Sequence, residues 1–183
     1  MFLRIIYKTV SHILMATSID TSNFYKVIED NKAILYKICH SYCRNESEHE
    51  DLVQEMIYHL WKSAESFNAE YRFSTWMYRV ALNVAISFYR KSKTSVPLVP
   101  LSNLNNDIAA SPVTTNKEIQ FQLLQQAIQE LKELDRALIL LWLEEKSYQD
   151  ISEIMGITET NVATRISRIK EKLKQQLRQQ QNI

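Results

Sequence analysis

The chain has 183 residues, enough for one ordinary domain or two small ones, and its 45% apolar and 23% charged fractions suit a packed core with a solvated surface. A single glycine and three prolines exclude the glycine-rich loops that cradle phosphates or dinucleotides, and they favour helices joined by short connections. The formal net charge of +1 conceals an uneven distribution: acids crowd between Glu46 and Glu55, none occurs from Tyr71 to Asn106, and the C-terminal stretch is basic.

In chain order, Met1 to Ala16 is apolar but broken by Arg4, Lys8, Ser11 and His12. It is too interrupted for a signal peptide and too short for a membrane span, so residues 1–21 are read as a leader without an assigned role, with Met15 as an alternative start. Phe24, Val27, Ile28, Ile34, Leu35 and Ile38 recur at helical spacing and predict a first helix from Asn23 to Cys43. Within it Cys39 and Cys43 lie one turn apart; without a second pair they form no zinc pattern and read as buried thiols in a reducing cytoplasm, with no metal expected. A second helix is expected from Ser47 to Trp61, with Leu52, Met56, His59 and Leu60 on its inner side, and a third from Ser74 to Lys91. Ser92 to Asn116 holds all three prolines and no sustained period, which marks a flexible linker. About 25 residues reach roughly 85 Å when extended, so the two halves need not touch. Further helices are expected over residues 117–132, 134–144, 148–155 and 158–176. The fold class is therefore all-α, with small helical domains over residues 22–92 and 117–183 joined by residues 93–116.

Gly156, the only glycine, separates two short amphipathic segments, Ser147 to Met155 and Thr158 to Arg165. A helix-turn-helix needs a residue that tolerates positive φ where its first helix ends, and Thr158 is placed to cap the second. Ile151, Met155, Ile157, Val162 and Ile166 are spaced to pack the two helices crosswise. In the second helix Val162, Ile166, Ile169 and Leu173 form a core stripe. Thr160, Asn161, Thr164, Arg168 and Lys172 lie opposite, with Arg165 at the flank. That face suits the major groove, where Arg pairs with guanine, Asn with adenine, and Thr with a thymine methyl or a phosphate. An ordinary charged helix face is the plainer alternative.

The stretch Ser66 to Arg79 interleaves aromatic and basic residues. On the helix that follows, Met77, Val80, Ala81, Val84 and Phe88 share the expected core face. Trp76, Arg79, Asn83, Ser87 and Arg90 share the other, with Arg72 and Phe73 just before. A solvent-facing Trp among Arg and Asn offers the stacking plane, phosphate partners and base-reading amide that unpaired nucleic acid requires. Core packing is the alternative for Phe73 and Tyr78. Asp51, Gln54 and Glu55 project together from the acidic helix, a face that DNA repels and a basic protein surface would match. A metal-dependent hydrolase using Asp51 and Glu55 lacks further ligands, and a dimeric helix-turn-helix regulator leaves the first half of the chain without work.

Taken together, Asp51-Leu52-Val53-Gln54-Glu55 followed by Leu60-Trp61, then Phe73-Ser74-Thr75-Trp76-Met77-Tyr78-Arg79-Val80-Ala81-Leu82-Asn83, and finally the helix-turn-helix resemble a bacterial RNA polymerase sigma factor of the extracytoplasmic-function group of the sigma-70 family. The resemblance runs from about Phe24 to Leu177. It implies that Asp51, Gln54 and Glu55 dock on the clamp of the polymerase β′ subunit. Trp76 would then wedge the edge of the melted −10 element, Asn83 would lie by a flipped base, and Arg72, Phe73, Arg79 and Arg90 would line the single strand. Thr160, Asn161, Thr164, Arg165, Arg168 and Lys172 would read the −35 duplex. The implied partners are core polymerase, including the flap of its β subunit, promoter DNA and an anti-sigma factor. The chain is expected to be cytoplasmic, monomeric when free, without membrane insertion, enzymatic activity or cofactor. The loop from Asn68 to Phe73 varies among such proteins, so the −10 sequence is not assigned.

Overall fold

Asn31 divides what the spacing predicts as one long first helix. Its side-chain amide donates to the Val27 carbonyl at 2.9 Å, while its backbone N–H shifts to the Ile28 carbonyl at 3.1 Å. A side chain that takes over an i−4 acceptor competes with the helical ladder. The result is α1, Thr21–Asp30, and α2, Lys32–Tyr42. They belong to a computed structural model that describes residues 21–43, 45–64, 67–68, 72–94 and 116–181. The expected leader, up to residue 20, and the linker between residues 95 and 115 lie outside the described residues, as do residues 69–71 of the variable loop.

The remaining elements are α3, Glu46–Ser63; α4, Phe73–Thr94; α5, Asn116–Gln129; α6, Glu133–Leu143; α7, Tyr148–Met155; and α8, Glu159–Gln181. The described residues contain no strand, and the architecture is all-α as the composition predicts. Asn45 caps α3 by accepting the Glu48 N–H at 2.8 Å, with Glu46 and Glu48 favourably placed in the first turn. The buried arc of α3 is Leu52, Val53, Met56, Ile57, Leu60 and Trp61. His59, expected on the inner side, falls outside that arc and instead sits 3.7 Å from Glu55 on the surface.

Helix α4 is the centre of the molecule. It packs against α2 and α3 on one side and against α6 and α7 on the other. Two sets of partners demand a wider apolar stripe than one. Met77, Tyr78, Ala81, Leu82, Val84, Ala85, Ile86 and Tyr89 are buried accordingly, whereas the expected core residues Val80 and Phe88 are only half-buried.

The two halves touch, although the length of the linker does not require it. Their buried residues form one continuous core. Tyr42 donates its hydroxyl to the Glu133 carbonyl at 2.6 Å, Lys37 pairs with Glu144, and the Lys146 ammonium lies 5.3 Å from the centre of the Tyr78 ring. Arg136, from α6, is 2% exposed and reaches across to α2 and α4.

Candidate nucleic-acid and polymerase interfaces

The C-terminal candidate site is built by the turn at Gly156. Helix α7 opens on a capping box: the Ser147 hydroxyl accepts the Asp150 N–H at 3.0 Å, and the Asp150 carboxylate accepts the Ser147 N–H at 3.2 Å. These contacts, the Ser147 hydroxyl first and the Arg72 charge after it, hold the Asp150 carboxyl below its ordinary range. The helix ends at Gly156 with φ 66°, the left-handed conformation expected of it. Helix α8 then begins with the Thr158 hydroxyl accepting the Asn161 N–H at 3.3 Å, the expected cap. Val162, Ile166, Ile169 and Leu173 are buried as a stripe; Ile151 is buried beside them, and Met155 and Ile157 are half-buried.

On the opposite side Thr160, Asn161, Thr164, Arg168 and Lys172 are all exposed, so the structure brings these sequence-derived residues onto one face. The Thr164 hydroxyl donates to the Thr160 carbonyl at 2.9 Å, so its proton is already engaged within the helix. Arg165 differs from the rest. Its guanidinium is held at 2.7 Å by Asp135 of α6 and is half-buried, so one of its edges is already occupied.

The N-terminal candidate site is an aromatic knot at the start of α4. The rings of Phe67, Phe73 and Trp76 lie 5.3–5.6 Å apart, mutually tilted or edge-on. Trp76, expected to face solvent, is half-buried because Phe67 folds back over the first turn of α4. Arg72, Arg79, Asn83 and Arg90 are exposed. Arg72 and Arg79 flank the knot, whereas Arg90 lies more than four turns along the helix and pairs with Glu133 at 2.9 Å. Asp51, Gln54 and Glu55 are exposed together on α3, on the side away from its buried arc.

Several charged groups that face these sites were not singled out by sequence reasoning. Glu133, Asp135, Asp150 and Glu153 bring carboxylates to the basic faces, and Arg136 is the one charged residue among the described residues to be buried. Arg136 leaves a trace in the sequence, the last charge before the apolar run Ala137 to Leu143; the acids leave none. The Glu133 carboxyl is lowered by its own backbone N–H and then by Arg90. Burial and the Glu144 charge push the Tyr78 hydroxyl up to about 12. Burial and the neighbouring His40 ring hold the His49 imidazole below its ordinary value.

Cys39 and Cys43 are free thiols, the first buried and the second half-buried. Among the described residues no cluster of three His, Cys, Asp or Glu could hold a metal ion. No helix among them is long and apolar enough to cross a membrane.

Comparison with known proteins adds two family matches. The family model of sigma-70 region 2 matches residues 27–94, and that of sigma-70 region 4 matches residues 121–173. The chain is similar to the ECF RNA polymerase sigma factor SigW of Bacillus subtilis, at 31% identity over 170 residues that cover 87% of this chain and 91% of that one. It is also similar to the ECF RNA polymerase sigma-E factor of Haemophilus influenzae, at 29% identity over 69% of this chain and 73% of that one. Among solved structures, the sigma factor RpoE in complex with the anti-sigma factor NepR, from Bartonella quintana, matches with a TM-score of 0.63 and 21% identity over 86% of this chain and 98% of that one. CnrH, solved in complex with the cytosolic domain of CnrY, matches with a TM-score of 0.63 and 17% identity over 94% of each chain. At those identities the structural likeness establishes the fold alone.

Proposed function

We infer that this chain, which belongs to the sigma-70 family and to its extracytoplasmic-function group, joins core RNA polymerase and directs it to promoters. The observation that carries the reading is the presence, in one chain, of an aromatic–arginine face at the start of α4 and an exposed Thr, Asn, Arg and Lys face along α8. Unpaired bases need stacking planes beside cations, and duplex needs a polar helix face. The chain supplies one of each.

The residue roles follow from the same pairing of surface with substrate. Arg72, Phe73, Trp76, Arg79, Asn83 and Arg90 handle the opened −10 strand. Thr160, Asn161, Thr164, Arg168 and Lys172 meet the −35 duplex, with Arg165 shared between DNA and Asp135. Asp51, Gln54 and Glu55 fasten α3 to the β′ clamp, and the C-terminal domain meets the β flap. The working division is residues 22–92 for the −10 domain, 93–116 for the linker and 117–183 for the −35 domain. Bond-making belongs to the polymerase, and the factor works beside it in the cytoplasm as a monomer until captured by polymerase or by an anti-sigma protein. Joining two weak contacts on one chain raises the effective concentration of the second.

The test is co-purification with core polymerase, followed by run-off transcription on a promoter library. Asp51→Lys places a cation on an exposed acidic patch, so far-ultraviolet circular dichroism should stay unchanged while holoenzyme assembly is lost. Assembly of that variant at the wild-type level would remove the docking role from α3.

A further inference from the structure

We propose that Asp135 is a positioning residue for duplex reading. From the first turn of α6 it holds the Arg165 guanidinium in one orientation, so that Arg165 addresses a guanine edge in the −35 element and not the phosphates beside it. The inference rests on the promoter-reading function above and deepens it, adding a residue that governs base choice through another side chain.

The pair bridges two helices whose backbones the core already fixes. On α6, Asp135 is followed by the buried Arg136, Ala137 and Leu138; on α8, Arg165 is followed by the buried Ile166, with Val162 buried about one turn earlier. Across that fixed spacing the Arg165 Nη2 donates to the Asp135 Oδ1 at 2.7 Å, a short, charge-assisted bond. Asp135 is the one hydrogen-bond partner of Arg165 among the described residues, so the Nη1 and Nε donors stay available. A guanidinium is a rigid planar fork, and fixing one arm sets the direction of the others. The carboxylate suits its place even without the arginine. Glu133 and Asp135 stand in the first turn of α6, where the helix dipole favours negative charge.

Arg168 gives the contrast. It is exposed about one turn further along α8 and has no ion pair among the described residues. Such an arginine surrenders its rotamer freedom on contact and, as a full cation, is drawn to any phosphate. Arg165 has surrendered much of that freedom on folding, and Asp135 balances its charge. What it keeps is direction, with donors set to meet the O6 and N7 acceptors of guanine in the major groove. A fork pre-set in this way gains most from the base edge it fits. The Asp135 carboxylate also repels backbone phosphates, which disfavours any register that would swing Arg165 onto the backbone.

The test uses holoenzyme assembled from full-length variants on a promoter library randomised through the −35 element, with transcripts counted by sequencing. Asp135→Ala should flatten the guanine preference at one position by about tenfold, the discrimination of one good bidentate pair. Arg165→Ala should flatten the same position, and the double variant should do no more. Salt supplies the second readout, measured as holoenzyme binding to a duplex fragment that bears only the −35 element. Arg165 released from Asp135 becomes a phosphate partner, so in Asp135→Ala the slope of log affinity against log salt should steepen by about one. The double variant should return to the wild-type slope. Asp135→Asn preserves the shape and an acceptor oxygen, so it should fold, keep the preference and still steepen the slope. A merely structural pair would give a lower Tm, equal loss on every sequence and an unchanged slope. That outcome, a wild-type preference profile in Asp135→Ala, flattening at a position other than that of Arg165→Ala, or an unchanged slope in Asp135→Asn would each overturn the positioning role alone. A wild type that fails to assemble with core polymerase, or shows no preference anywhere in the element, would overturn the promoter-reading function and this role with it.

Discussion

Gly156 and Glu145 both hold a left-handed backbone, with φ of 66° and 56°, and they bracket α7. Nothing lies within 4 Å of the position a Cβ would take at Gly156, so a side chain there meets no neighbour and the whole cost of substitution is conformational. Gly156→Ala should therefore destabilise the chain by about 1–2 kcal/mol, lowering Tm by several degrees, with the geometry of α8 unaltered. Thermal denaturation checks it, and an unchanged Tm would mean that the turn does not depend on glycine. As the only glycine in the chain, Gly156 announced its turn. A glutamate carries no such mark, and Glu145 owes its conformation to the junction between α6 and α7.

At the scale of the element, α8 divides its labour between Arg165 and Arg168. Arg168 is exposed on the face with Thr164 and Lys172, whereas Arg165 is bound to Asp135 at 2.7 Å. Arg168→Ala should reduce transcription from promoters that depend on a −35 element by about tenfold, the worth of one good base contact, with stability within about 0.5 kcal/mol of wild type. Arg165→Ala should reduce transcription and also lower Tm, because Asp135 loses its partner. Transcription assays beside calorimetry separate the two, and equal losses on promoters with and without a −35 element would remove Arg168 from duplex reading.

The core stripe and outer face of α8 were readable because one buried side and one wet side produce a clean period. Helix α4 was read less well, since burial on two sides blurs that period and made Val80 and Phe88 look more central than they are. The break at Asn31 was missed because Phe24, Val27 and Ile28 stay in phase with Ile34, Leu35 and Ile38 across it. Asparagine in a helical pattern does not by itself say whether its amide will take the i−4 carbonyl.

For the whole molecule, the existence of two helical halves could be read from the proline-bearing stretch between them, but their contact could not. The groups that meet, Ser41 with Arg136 and Tyr89 with Arg136, stand 95 and 47 residues apart in sequence. Tyr42 and Tyr89 have apolar rings with polar tips, a composition that suits a surface as well as a core. A shared core implies shared unfolding. In Trp142→Phe the remaining tryptophans, Trp61 and Trp76, report on the N-terminal half, and their fluorescence midpoint in urea should coincide with that of total helicity. Separate midpoints would show that the halves fold independently.

The single rod of α4 joins events at its two ends. Over 22 residues it runs about 33 Å, with the aromatic knot at its first turn and, near its last, Tyr89, whose ring centre lies 4.6 Å from the Arg136 guanidinium. A continuous helix without proline or glycine moves as one body. A ligand seated against the knot would therefore press on the same rigid body that carries Tyr89 against Arg136.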